Sequence, residues 1–324
     1  MSSRFSKLQI NAIVRAEKYV NNLRFNCLYP GCAEKAISSH SQQKERQLRS
    51  IAVDGHVYTL APSVTQVFKM KAANDQLQVK RVGITNASTF YGFCRKHDNE
   101  LFKPIESDEV NPDNKQHLTL LFFRALSYEY CMKRKVHLLL RKRRELISQN
   151  GQRLVPSEME LGFEAWTSKK WPVLFSQILS ALQQDHDGGV RSVVHQIGRN
   201  IGVSCCGVSG VRGETLSDIM NTQDLRSMPP LYAFNIVPYT DKTFVIVTSF
   251  AEHSIEVSHH FGDVENMNQL ESLVNTLAFY NCEDPCISPA LWETLSMEEK
   301  EFVQLSIRHP SYRSSNLVPR IIKL

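Results

Sequence analysis

Between residues 5 and 24, apolar side chains recur at Phe5, Leu8, Ala12, Ala16, Tyr19 and Leu23. Steps of three and four put them on one face, which predicts an amphipathic helix. Two short β-prone runs follow, over 56–60 and 78–82, with turn signals between them at Pro62 and Asn74-Asp75. Residues 107–114 (SDEVNPDN) are polar, acidic and contain proline, as a linker does. A long helix is expected over 115–149, with Asn111 or Asp113 as its cap and Asn150-Gly151 as its stop. A second helical stretch covers 157–184, and Pro172 should break or kink it.

From residue 190 the period changes. Residues 191–196 and 201–211 are strand candidates punctuated by glycine. Residues 231–238 and 242–250 are apolar runs around the polar pair Thr240-Asp241, the pattern of a hairpin. Helices return over 267–280 and 296–307, the latter with Ser296 and Glu299 spaced as a capping box. No internal repeat or low-complexity tract interrupts this order.

The composition is that of a globular protein: 324 residues, 42% hydrophobic and 22% charged. No uninterrupted apolar run reaches the eighteen or so residues a membrane span needs. Residues 1–18 carry no continuous apolar segment of the kind a signal peptide has. A cytoplasmic location without a membrane partner is therefore expected. In a reducing compartment, paired cysteines point to metal or redox chemistry rather than disulfides. The net charge of +5 is too mild to indicate nucleic acid by itself.

Two of the cysteine pairs have metal-ligand form. Cys27-Leu-Tyr-Pro-Gly-Cys32 is a C-x4-C pair across a Pro-Gly turn, and Cys94-Arg-Lys-His97 is a C-x2-H pair before a helix-prone segment. A turn that aims two thiolates at one point, joined by a second pair, supplies the four donors of tetrahedral zinc. Cys27, Cys32, Cys94 and His97 are thus the expected ligands of a structural zinc. A knuckle, a β-hairpin region and a ligand pair opening a helix make the outline of a treble-clef finger. Cys131, Cys205 and Cys206 read as buried hydrophobes. Cys282 and Cys286 read as loop thiols rather than a second zinc site.

The segment 27–102 resembles a divergent HNH-type (ββα-metal) nuclease module of the zinc-stabilised kind. His40, in Ser38-Ser39-His40, stands where that family has its base histidine. Asn86, in Thr85-Asn86-Ala87-Ser88, stands where it has the following asparagine. Asp98, directly after His97, stands where it has the metal-binding residue that opens the helix. The resemblance implies phosphodiester hydrolysis. His40 would deprotonate water, Asn86 would orient the imidazole, and Asp98 would help hold Mg²⁺ or Mn²⁺. The chain departs from the family at Ser39, where an acidic residue or a second histidine is usual, and in the long gap between His40 and Asn86. The other reading of His40 is a zinc ligand or a residue that packs the knuckle.

Residues 133–144 (KRKVHLLLRKRR) hold seven basic groups and no acidic one. Lys133, Arg134, Arg141, Lys142 and Arg144 either track a phosphate backbone or form a solvated, cationic helix end that suits the macrodipole. His259-His260 should point apart on a strand. The glycines of 207–213 lack a Walker lysine or a dinucleotide fingerprint and read as turns. Trp166 and Trp171 read as core.

The chain as a whole reads as α+β: a small treble-clef-like zinc module with its N-terminal helix (1–106), a linker (107–114), a helical middle region bearing the basic helix (115–187), and a mixed α/β C-terminal region (188–324). The expected function is a zinc-stabilised protein acting on nucleic acid, as a metal-dependent endonuclease. The alternative is a non-catalytic zinc-finger protein that binds nucleic acid or a protein partner, or a homo-oligomer. An arrangement of this kind would suit an antiviral-defence or toxin-like effector, on fold-level analogy alone.

Overall fold

The computed structural model describes residues 7–60, 79–151, 154–183, 189–210, 231–306 and 320–324. The expected turns at Pro62 and Asn74-Asp75, and Gly213, lie outside them. The fold is α+β.

Helix α1 (Lys7–Asn21) is followed by the first cysteine knuckle and by β1 (Ser39–His40). A π turn (Lys44–Leu48) runs into the short helix α2 (Arg49–Ile51). Strands β2 (His56–Thr59) and β3 (Lys80–Gly83) form a hairpin, and β4 (Thr89–Phe90) pairs antiparallel with β1. Helix α3 (Arg95–Ser107) leads to α4 (Lys115–Ser148), then α5 (Glu158–Ala165) and α6 (Trp171–Gln183). Strands β5 (Val190–Ile197), β6 (Val203–Gly210), β7 (Leu231–Pro238) and β8 (Thr243–Phe250) follow. The chain continues through α7 (Ser254–Phe261), α8 (Met267–Thr276), β9 (Cys286–Ile287), α9 (Pro289–Thr294) and α10 (Met297–Ser306).

Seven strands make one antiparallel sheet in the order β3-β2-β9-β6-β7-β8-β5. Its central strands are apolar on both faces because both faces are covered. Leu231, Ala233, Val237, Phe244, Ile246 and Phe250 pack toward α4 with Phe122, Phe123 and Leu126. Phe234, Ile236, Val245 and Val247 pack on the other side with Leu270, Val274, Leu277 and Trp292. That alternation is why the continuous run 231–250 is a hairpin with no polar face.

The regions expected as separate domains share this framework. β2 and β3, from the N-terminal third, join the C-terminal strands through β9. Cys27, Phe90 and Phe93 lie in one core with Phe123, Phe175 and Ile246. The 107–114 segment is anchored: Val110 is buried, and its N–H donates to Tyr239 Oη at 2.7 Å.

Local signals explain several boundaries. Asn114, rather than the expected Asn111 or Asp113, caps α4: its Oδ1 accepts from the N–H groups of Gln116 (2.9 Å) and His117 (3.3 Å). Asn111 instead forms an Asx turn, accepting from the Asp113 N–H. Pro172 lacks the N–H that a regular helix would use there, and the preceding turn widens to a π turn over Trp166–Lys170. The capping box at Ser296 and Glu299 forms in both directions, at 3.2 and 2.7 Å.

Other expectations change. His259 and His260 end helix α7 instead of lying on a strand. Gly207 and Gly210 are inside β6, not in turns. Gly207 faces Phe234 across the ladder, and a Cβ there would meet the ring at 2.5 Å. The glycine is needed for that close approach. Cys282 and Cys286 are buried, and Cys286 belongs to β9.

Candidate metal centre

The first knuckle is built by short-range hydrogen bonds. The Cys27 N–H donates to the Glu34 carbonyl (2.8 Å), and the Cys32 N–H donates to the Tyr29 carbonyl (3.1 Å). Gly31 takes φ +74°, a left-handed conformation that costs a glycine little. The Leu28 N–H donates to the Gly92 carbonyl at 2.8 Å and so binds this knuckle to the chain entering the second. Cys94 precedes the first residue of α3 and His97 lies in its first turn. The C-x2-H spacing therefore places both side chains at one helix end.

The donor atoms of Cys27, Cys32, Cys94 and His97 all lie within 4.8 Å of one another. Cys27 Sγ is 3.5 Å from His97 Nδ1, Cys94 Sγ is 3.3 Å from the same nitrogen, and Cys32 Sγ is 4.0 Å from Cys94 Sγ. With Zn–S bonds of about 2.3 Å and Zn–N bonds of about 2.05 Å, a tetrahedron has S···S edges near ~3.8 Å and S···N edges near ~3.6 Å. The group fits a four-coordinate metal such as zinc, with no fifth donor among the described residues and no open position. Tyr29 stacks flat on His97, with ring centroids 3.9 Å apart and planes within 4°. That stacking fixes the plane of the imidazole and so the direction of its Nδ1.

Burial pushes the Cys27 thiol up to about 11, against hydrogen bonds from nearby backbone. Cys94 also loses solvation, but the backbone N–H groups of His97 and Lys96 and the two neighbouring thiols hold it below its ordinary value. Thiols so close together ionise jointly only with a cation between them.

Beside this centre, β1 pairs with β4, and β4 leads into α3. His40, at the end of β1, is half-buried, and its Nε2 lies 3.1 Å from the Ile84 carbonyl. A carbonyl only accepts, so Nε2 carries the hydrogen and Nδ1 keeps the lone pair. Burial pulls the His40 pKa below its usual value, opposed by the Ile84 carbonyl and assisted by the charges of Lys44 and Arg124. Neutral imidazole is thus the form favoured near pH 7.

Asp98 feels His40 electrostatically. Burial raises its pKa, while the Ser39 hydroxyl and the Arg124 guanidinium favour the ionised form. Arg124 itself is buried, bonds Glu106 Oε1 at 2.7 Å and lies over the Phe102 ring. His40 and Asp98 therefore share one polar neighbourhood, distinct from the four sulfur and nitrogen donors. Asn86 does not orient His40. It is exposed in a turn where its backbone N–H donates to the Gly83 carbonyl, and the orienting bond is made by the main chain of Ile84. No sequence signal marks a carbonyl for that role.

The basic helix is engaged within the chain. Lys133 pairs with Glu129 (3.1 Å) and Glu283 (3.5 Å) and is largely buried. Arg134 lies over the Phe25 ring, and its Nη2 donates to the Tyr91 carbonyl. Lys142 pairs with Glu145, and Arg144 pairs with the buried Glu160. Arg141 is exposed. The five do not form a free cationic stripe, because acidic residues remote in sequence, such as Glu283, neutralise part of it.

Trp166 and Trp171 are core residues, as are Cys131, Cys205 and Cys206. Among the described residues no helix is long and apolar enough to cross a membrane. Compared with family models, curated proteins and solved structures, the chain matches none of them.

Proposed function

We propose that residues 27–102 form a zinc-stabilised treble clef of the HNH-like kind, and that the protein hydrolyses phosphodiester bonds in nucleic acid. The observation that carries this reading is that His40 and Asp98 lie close enough to influence each other electrostatically, on a β1–β4–α3 unit whose helix opens at the metal ligands. In this scheme zinc is scaffold, since four protein donors leave it no position for substrate.

His40 is the general base. Its Nε2–H is fixed on the Ile84 carbonyl, so Nδ1 is free to take a proton from water. Low basicity keeps that nitrogen unprotonated at neutral pH, ready to act. Asp98 holds a hard cation through one carboxylate, as Mg²⁺ sites completed by substrate phosphate and water do. Mg²⁺ or Mn²⁺ there would supply charge stabilisation on the phosphate oxygens. Asn86 lies near the His40 side of the unit as an exposed amide and serves at most in contacting substrate.

A second reading has its own support. Lys133, Arg134, Lys142 and Arg144 are paired within the chain, and the metal ligands sit at the edge of the main core. A non-catalytic zinc module that binds a protein partner is the reading those pairings favour, since they leave few free cations for a phosphate backbone.

The deciding experiment measures metal content together with plasmid and RNA cleavage in Mg²⁺ or Mn²⁺. The nuclease reading expects one zinc per chain in wild type and in His40→Ala, with the variant slower by roughly 10²–10⁴-fold. Zinc without cleavage in wild type supports the binding module. Equal cleavage in both proteins removes His40 from the mechanism.

A further inference from the structure

On the face of the sheet opposite α4 lies a cavity of about 820 Å³ that has no connection with the metal ligands. It is within the size range of small-molecule sites. Its floor is polar: Asn281, in the π turn that ends α8, donates through Nδ2 to Ser209 Oγ (3.3 Å) and to Tyr232 Oη (3.1 Å). Both amide hydrogens are thereby engaged, which leaves Asn281 Oδ1 as an acceptor. Each hydroxyl accepts from the amide, so at least one of their two hydrogens remains available to donate. A donor thus sits beside an acceptor on one rigid base, held by strands β6 and β7.

The walls differ from the floor. Phe261, Val264 and Leu273 give an apolar side, with Phe261 braced against the Tyr232 ring at 4.8 Å between centroids. Among the described residues, neither lysine nor arginine lines the cavity. The charged or titratable side chains at its rim are His260 and Asp263. A phosphate or carboxylate would meet no fixed cation there and one carboxylate.

Adjacent donor and acceptor groups with an apolar wall match the hydrogen-bonding edge and the flat face of a nucleobase. We propose that this cavity binds an uncharged nucleobase compound, a free base or a nucleoside, with its edge on the Ser209–Asn281–Tyr232 floor. The site is independent of the reading of His40 and Asp98.

The test is calorimetric titration of the full chain with the common free bases, their nucleosides and the matching 5′-monophosphates. At least one uncharged member should bind saturably below about 1 mM, and its 5′-monophosphate should bind no more tightly. Asn281→Ala removes the floor. Ser272→Trp, at an exposed position of α8 lining the cavity, fills it without disturbing the core. Each should weaken binding by about tenfold or more, while zinc content stays at the wild-type value in both and the melting temperature without ligand stays there in Ser272→Trp. If no uncharged member binds, if only the phosphates bind, or if Ser272→Trp binds as wild type does, the proposal is overturned.

Discussion

The chain carries two groups of cysteines, and they behave differently. Cys27, Cys32 and Cys94 converge with His97 at the end of α3, where backbone N–H groups meet the sulfurs. Cys205, Cys206, Cys282 and Cys286 also lie close to one another but form no comparable ligand group among the described residues. Burial and the nearby Asp284 carboxyl push the thiols of Cys206, Cys282 and Cys286 upward, toward the neutral form. The first group aims its donors at one point. The second is packing material on either side of β6, with Cys205 and Cys206 facing opposite cores. Turn geometry separates them: a Gly31 turn and a helix end aim donors at a point, whereas a strand aims successive side chains apart.

The largest effect should come from breaking the first group. Cys94→Ser, or a strong chelator, should lower stability by more than about 4 kcal/mol, the range reached when a structural metal is lost. Urea denaturation with parallel metal analysis measures it. Cys206→Ala should hold as much metal as wild type. If chelation leaves the urea midpoint unmoved, the four donors do not hold a structural metal.

What the sequence made legible follows the same division. The four donors are visible because two short spacings carry them, and the β7–β8 hairpin is visible as two apolar runs around a polar pair. The capping box at Ser296 and Glu299 is a three-residue signal. Hidden were features whose partners lie far apart along the chain. Two-residue β9 has no pattern of its own, yet it joins β2 to β6 and merges regions that composition separates. The basic helix looked like a free cationic surface because Glu283, which pairs with Lys133, is remote in sequence. His40 seemed to need Asn86, but a backbone carbonyl, which every residue carries, holds its ring.

The second region should be most sensitive to shape rather than to ligands. Gly207→Ala puts a Cβ 2.5 Å from the Phe234 ring, which is fully buried between two strands and a helical layer. Overpacking of this kind costs roughly 1–3 kcal/mol. Thermal unfolding of Gly207→Ala should show the loss with zinc content unchanged. An unchanged midpoint would mean that Phe234 can shift without cost.

The pH dependence of stability probes the loop between the two sulfur-bearing cores. Tyr128, on α4, donates a hydrogen bond of 2.5 Å to Asp284 Oδ2, and Cys282 Sγ lies 3.9 Å from Oδ1. Burial raises the Asp284 carboxyl to about 7, against the Tyr128 bond and with help from the Glu283 and Glu129 charges. In the unfolded chain the same group ionises near ~4. Between those values the folded state holds a proton that the unfolded state has released. Stability from this group is therefore complete below about pH 4 and is lost as pH rises toward 7, with a slope of at most about 1.4 kcal/mol per pH unit. Asp284→Asn keeps an acceptor for Tyr128 but cannot ionise. The difference in urea midpoint between wild type and Asp284→Asn, taken at pH 5 and again at pH 8, isolates this group from the histidines, whose shifts are common to both proteins. The variant should gain on wild type as pH rises. A difference that stays constant would mean that Asp284 is already ionised at pH 5, and that the loop meets solvent more freely than the sulfur-lined interior beside it.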